Sequence, residues 1–232
     1  QQAFNNPDWR DLKPHLRARF LYRIGELIDA DVDKLSHIQM TDNGKTISEC
    51  RQMIAGAANC FRYYSGVCET LEGIVTPSRG DYMSVAVSEP IGIVGLITPW
   101  NSPALLEANK IAPALAAGNC VIIKPSEVTP LIALEYARIG EEAGLPPGVL
   151  SVITGASDIG RLIVEHPDIG MISFTGGPAA GKRIAASAGA LLKPVVLELG
   201  GKSPNIVFAD ADFDVALNGV VSGIFSGAGQ SC

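Results

Sequence analysis

From residue 91 onward the chain alternates short apolar runs with helical segments, and this rhythm constrains the fold more than any other feature. Residues 93–97, 121–123, 149–153, 171–174, 195–199 and 205–208 are expected as strands, and residues 104–117, 130–143, 159–165 and 179–188 as the helices between them. Nearly continuous apolar strands separated by helices imply a parallel sheet covered on both faces. The expected fold class is therefore α/β, an open, mostly parallel sheet with helices on either side. Such sheets bind ligands beyond the carboxyl ends of their strands, where the strand order reverses. The segments to search are thus 98–101, 124–127, 175–181 and 200–203.

The first seventy residues lack this rhythm. Leu12, Leu16, Phe20, Ile24 and Leu27 recur at helical spacing, with Arg17, Arg19, Arg23 and Glu26 between them. A second helical pattern, 34–40, stops at Asp42-Asn43-Gly44, a turn signal, and a third runs over 47–67. Residues 71–90 are punctuated by Gly73, Pro77 and Gly80. The run Tyr82-Met83-Ser84-Val85-Ala86-Val87 reads as extended, a hairpin or an arm leaving the main body.

Composition excludes several classes. At 232 residues and 47% hydrophobic, the chain is rich enough in core formers to exclude disorder. Eighteen Lys and Arg against 24 Asp and Glu give a net charge of −6, and no basic cluster offers a nucleic-acid surface. No apolar run approaches the ~20 residues of a membrane span. The chain starts at Gln1 without an export signal, and a start without Met together with an end on Cys232 is expected of a piece of a longer chain. The cysteines, at 50, 60, 68, 120 and 232, include no C-x-x-C pair and fit a reduced, cytoplasmic protein. His15, His37 and His166 have no metal-ligand spacing, so no metal is expected.

Several short motifs carry chemistry, each beside a plainer alternative. Gly176-Gly-Pro-Ala-Ala-Gly181-Lys182-Arg183 forms a glycine-rich turn between strand and helix, where backbone N–H groups can hold a phosphate. It is not a nucleotide P-loop, because Arg183 stands where a hydroxyl must meet magnesium, and Pro178 breaks the dinucleotide fingerprint. The alternative is an ordinary turn. Lys124-Pro125-Ser126-Glu127 offers a cation and a carboxylate for a ribose diol; the alternative is a helix start with Ser126 as N-cap. Glu198 lies within the apolar run Pro194-Val-Val-Leu-Glu-Leu. A carboxylate in a buried strand would be desolvated and raised toward the range of a general base, whereas on an edge strand it would simply face water. Asn101 sits in a proline-bounded turn and can donate to a developing oxyanion or merely close the turn. Cys232 follows a run of small residues that lets a ligand approach, and is either a nucleophile or an inert thiol. Cys50, Cys60, Cys68 and Cys120 read as inert.

Together these motifs resemble those of the aldehyde dehydrogenase superfamily from end to end. They are Ile97-Thr-Pro-Trp-Asn101, Leu115-Ala-Ala-Gly-Asn119, Lys124-Pro-Ser-Glu127, Phe174-Thr-Gly-Gly177, Leu197-Glu-Leu-Gly-Gly-Lys202 and Gly229-Gln-Ser-Cys232. Their order and the 34-residue separation of Glu198 from Cys232 make the set specific. The resemblance implies a Rossmann-like variant. Residues 1–70 and 91–199 would form its cofactor-binding domain, 71–90 an oligomerisation arm, and 200–232 the start of a catalytic domain. It implies that Cys232 attacks the aldehyde carbon to give a thiohemiacetal, with the Asn101 side chain and the Cys232 N–H as the oxyanion hole. Hydride loss to a nicotinamide would leave a thioester, which water activated by Glu198 would hydrolyse. Lys110 would help relay protons. Lys124 and Glu127 would hold the adenosine ribose, and Thr98, Pro99, Trp100, Ser126, Thr175, Gly176, Gly177, Leu199 and Gly200 would line the rest of the cofactor. Glu127 would accept a ribose 2′-hydroxyl and repel a 2′-phosphate, which favours NAD over NADP. The substrate would be a small-molecule aldehyde, and the assembly a homodimer or homotetramer.

Two positions depart from the common pattern. Gly177 removes a hydroxyl that many members place after Phe-Thr-Gly, and Asn109 replaces a substrate-pocket aromatic and points to a more polar aldehyde. The rival readings are a catalytically silent binding or structural protein on the same fold, and an NADP-preferring or CoA-acylating relative.

Overall fold

The computed structural model describes residues 1–231. Two short helices, α1 (Gln2–Asn5) and α2 (Pro7–Arg10), lead into three longer ones, α3 (Pro14–Ala30), α4 (Val32–Asn43) and α5 (Ile47–Cys68). Proline at the first position opens α3, where a missing N–H loses no helical bond. The expected turn signal ends α4: Gly44 caps it at φ +74, a left-handed conformation that favours glycine. A capping box opens α5, with the Thr46 hydroxyl taking the Glu49 N–H and the Glu49 carboxylate taking the Thr46 N–H. Trp9 is fully buried and its indole donates to the Gly118 carbonyl at 3.0 Å, which ties the N-terminus to the sheet layer.

A two-stranded antiparallel hairpin follows, β1 (Ile74–Thr76) with β2 (Ser84–Ala86), its residues exposed throughout. The alternation then runs β3 (Ile93–Ile97), α6 (Pro103–Ala116), β4 (Cys120–Lys124), α7 (Leu131–Glu142), β5 (Leu150–Val152), α8 (Ser157–Glu165), β6 (Ile169–Gly176), α9 (Pro178–Ala190) and β7 (Val195–Leu199). These strands form one parallel sheet in the order β5-β4-β3-β6-β7. The crossovers put α6 and α7 on one face and α8 and α9 on the other, as right-handed connections require when the strand order reverses, with α3 and α5 layered outside α6. The core lies between these layers, where β3 is buried at every position. Gly95, in that central strand, lets α8 approach: a Cβ there would lie 2.7 Å from Ile163 and 3.0 Å from Ile172.

Two expectations are corrected, and one helix is added. Residues 205–208 are exposed and form no strand: among the described residues the sheet ends at β7, and nothing pairs with this run. A helix that the sequence reading did not anticipate, α10 (Phe213–Phe225), follows instead, with Asp212 accepting the Val215 N–H as its N-cap. Ser126 is not a helix cap, since α7 begins at Leu131 with Pro130 before it.

Candidate active site

The strand order reverses at β3. The chain moves outward through β4 to β5 and then returns to the other side of β3 to lay down β6 and β7. The loops after β3 and β6 flank the resulting crevice, as open α/β sheets lead one to expect. Two adjoining cavities open there, of about 910 and 980 Å³, and they share Pro99, Trp100, Thr175, Gly176 and Gly177.

The smaller cavity brings Thr98, Lys124, Ser126 and Glu127 to these shared residues. Lys124 ends β4 and is buried; its Nζ donates to the Pro125 carbonyl at 2.9 Å and lies 3.5 Å from the Glu127 carboxylate. Glu127 is at the rim, its side chain 56% exposed, with room to accept from a ligand. Thr175 ends deep in the wall, and its buried hydroxyl oxygen has no partner among the described residues. At Gly177, the residue before α9, no atom lies within 4 Å of where a Cβ would stand. The first turn of α9 has no side-chain cap, so its N–H groups face open space at the positive end of the helix dipole. Arg161 and Arg183 also line this cavity. The sequence reading singled out neither for binding, since each is one more charge on an amphipathic helix until the fold turns it toward the crevice.

The larger cavity gathers Asn101, Lys110, Glu198, Leu199 and Gly200, and Asn109 lies on its wall. Lys110 projects from α6 and donates to the Ser173 hydroxyl at 2.8 Å. Burial pulls its pKa down, against the opposing field of Glu198. The β6–β7 register sets Glu198 beside Thr175. Glu198 is exposed on the terminal strand of the described sheet, so among the described residues it is not the desolvated carboxylate expected of a buried strand but matches the alternative that faces water. Asn101 stands in the loop after β3, and its side-chain amide donates to the Gln230 carbonyl at 3.0 Å. One amide hydrogen is thereby used and a second remains, because an Asn amide carries two. Gln230 follows the turn Ser226–Gly229, so Asn101 meets the backbone that leads to Cys232. Cys232 itself, and with it the expected nucleophile and backbone donor, lies outside the described residues.

The other cysteines behave as expected of inert thiols. Burial pushes Cys60 and Cys120 up to about 11 and raises Cys50 and Cys68 as well. Among the described residues no cluster of His, Cys, Asp and Glu could hold a metal, and no helix is long and apolar enough to cross a membrane.

Comparison with known proteins agrees with this architecture. A dehydrogenase of Acinetobacter baylyi that acts on (Z)-2-((N-methylformamido)methylene)-5-hydroxybutyrolactone is 43% identical over all of this chain and 48% of its own length. Betaine aldehyde dehydrogenase of Bacillus subtilis is 42% identical over the same shares. The chain thus spans about half the length of the curated relatives it matches. An aldehyde dehydrogenase of Bacillus cereus, solved with NAD+, superposes with a TM-score of 0.96 at 38% identity, over 99% of this chain and 47% of that one. The family model described as "Aldehyde dehydrogenase family" matches residues 1–232. With a parallel sheet that reverses at β3 and the motif residues gathered around that crevice, the chain belongs to the aldehyde dehydrogenase family.

Proposed function

We propose that this chain carries the cofactor cleft and the reacting groups of an NAD-dependent aldehyde dehydrogenase that forms carboxylic acids. The observation that carries the reading is the shared wall of the two cavities. One side holds groups suited to a dinucleotide, and the other holds Asn101, Lys110 and Glu198.

The smaller cavity fits a nicotinamide dinucleotide on its own features. The unpartnered Thr175 hydroxyl, the open space at Gly177 and the uncapped start of α9 suit a pyrophosphate. Lys124, Ser126 and the half-exposed Glu127 suit a ribose diol. When bound, the nicotinamide supplies the hydride acceptor. The chain's own groups do the rest. The Cys232 thiolate adds to the aldehyde carbon, and the free hydrogen of the Asn101 amide stabilises the negative oxygen that forms. After hydride loss, Glu198 takes a proton from water, which attacks the thioester; the acid leaves and the thiolate is restored. A Glu in this place favours hydrolysis over transfer to CoA. Its exposure leaves it open to water, and Lys110 lies close enough to feel its charge. Glu127 favours NAD over NADP, although Arg161 and Arg183 on the same wall make the cofactor titration informative. The exposed amide of Asn109 suits an aldehyde with its own hydrogen-bonding group.

On this reading 1–70 and 91–199 form the cofactor domain, 71–90 is the arm of a homo-oligomer in the cytoplasm, and 200–232 begins a catalytic domain. The test is reduced-nicotinamide formation by the protein at its natural length, with NAD and NADP in parallel over a panel of aldehydes. Turnover with NAD that is lost in Cys232→Ala, with folding retained, supports the reading. Absence of turnover, or near-normal turnover in that variant, returns the chain to a binding protein on the same fold.

A further inference from the structure

The turn that leads to Cys232 is held by one short segment 182 residues earlier in the chain. Lys45, directly after the Gly44 cap of α4, is 2% exposed, and its Nζ donates to the Gly227 carbonyl at 2.8 Å. Glu49, in the first turn of α5, divides its carboxylate: Oε2 bonds Thr46, and Oε1 accepts the Gly227 N–H. A single residue is therefore gripped at its donor by a carboxylate and at its acceptor by an ammonium. Such charge-assisted bonds are roughly twice as strong as neutral ones. The same turn is tied again at Gln230, whose side chain donates to the Asn43 carbonyl at 2.9 Å. The Gln230 carbonyl takes the Asn101 amide at 3.0 Å.

The backbone there needs holding. Gly227 (φ 66) and Ala228 (φ 56) are both left-handed, a conformation that a non-glycine residue such as Ala228 adopts only at a steric cost. A Cβ on Gly227 would lie 2.5 Å from the Lys45 Nζ, so the grip also requires glycine. The packing of α4 against α5 gives no reason to bury Lys45. Gly44 and the Thr46–Glu49 box already close that turn, and a buried ammonium is costly unless its hydrogen bonds are met. Neither Lys45 nor Glu49 lines either cavity.

We propose that Lys45 and Glu49 are positioning residues that clamp Gly227 and thereby aim the backbone entering Cys232 at the substrate. The inference rests on Cys232 being the nucleophile.

The test uses the protein at its natural length with Lys45→Met and Glu49→Ala. It measures the NAD dissociation constant, kcat, KM and the rate at which iodoacetamide alkylates Cys232, read by peptide mass with Cys50, Cys60, Cys68 and Cys120 as internal controls. The clamp predicts that kcat and the Cys232 alkylation rate fall together by roughly 10- to 100-fold, as a small misplacement of a reacting group would cause. NAD affinity and the other cysteines should stay as in the wild type. Wild-type kcat and alkylation in Lys45→Met, or a loss confined to NAD affinity, overturns it. If Lys45→Met does not fold, Glu49→Ala decides by the same criteria. Cys232→Ser separates this inference from the reading beneath it. An active Cys232→Ser sinks the nucleophile while the alkylation rate still reads the clamp; an inactive one beside a wild-type Lys45→Met sinks the clamp alone.

Discussion

At the scale of single residues, Glu107 and Asn101 show how burial sets what a polar group can do. Glu107 lies wholly inside the protein on α6; one carboxyl oxygen takes the Thr98 hydroxyl at 3.4 Å and the other has no partner among the described residues. Burial raises its pKa well above the ordinary value, with the Thr98 bond opposing and Asp42 reinforcing the shift. The folded protein thus keeps a proton that the unfolded chain releases, and stability falls as pH rises from the ordinary carboxylate range toward the raised pKa. Glu107→Gln keeps an acceptor for Thr98 without titrating. Its melting temperature should exceed that of the wild type by a few °C at about pH 8 and lose that advantage near pH 4, a gap read by pH-dependent thermal scans. An equal gap at both pH values would count against the account. For Asn101→Ala we expect kcat to fall by roughly 10²- to 10³-fold with NAD affinity retained, since the amide faces the reacting side of the shared wall. A comparable loss of NAD affinity would assign Asn101 to cofactor binding instead. Much of the lining of the candidate site, such as 98–101, 124–127 and 175–177, could be picked out in the sequence because these motifs sit at or just after the ends of strands. The environment of Glu198 could not: its apolar neighbours fit a buried strand or an edge strand equally, and only the fold shows that β7 is the terminal strand among the described residues. Nothing local in the sequence links Lys45 and Glu49 to a turn so distant along the chain, so only the fold shows their contacts with Gly227.

At the scale of elements, the strands of the main sheet followed from short apolar runs between turns; β3 and β7 have the expected ends, and those of β4, β5 and β6 differ by one or two residues. The run at 205–208 has the same β-branched character yet forms no strand, because strand formation needs a neighbour as well as propensity. Helix α10 was hidden by Gly219, Gly223 and its valines, which dilute a helical pattern; its one clear signal was Asp212, an N-cap residue. Packing at β3 gives a sharp prediction. Gly95→Ala would press a methyl group onto Ile163 and Ile172 and should cost about 1–3 kcal/mol, read as a lowered urea midpoint with an unchanged slope. A neutral result would mean that α8 moves away freely.

At the scale of the molecule, two surfaces stand apart from the core. The hairpin β1–β2 leaves the body with Ile74, Val75, Val85 and Val87 exposed, and an isolated hairpin of this size is marginal in water. If it is the arm of an oligomer, Val75→Asp with Val85→Asp should reduce the sedimenting mass to that of one chain without changing NAD affinity. An unchanged mass would remove the hairpin from the interface. The other surface is the crevice at β3 and β6, on which the reaction scheme depends. The most direct measurement is the mass of Cys232-containing peptides from Glu198→Gln at natural length, after mixing with an aldehyde and NAD. The account predicts an acyl group on Cys232 that appears only when NAD is present and persists because its hydrolysis is slowed. An unmodified Cys232, or turnover at the wild-type rate in this variant, would contradict it.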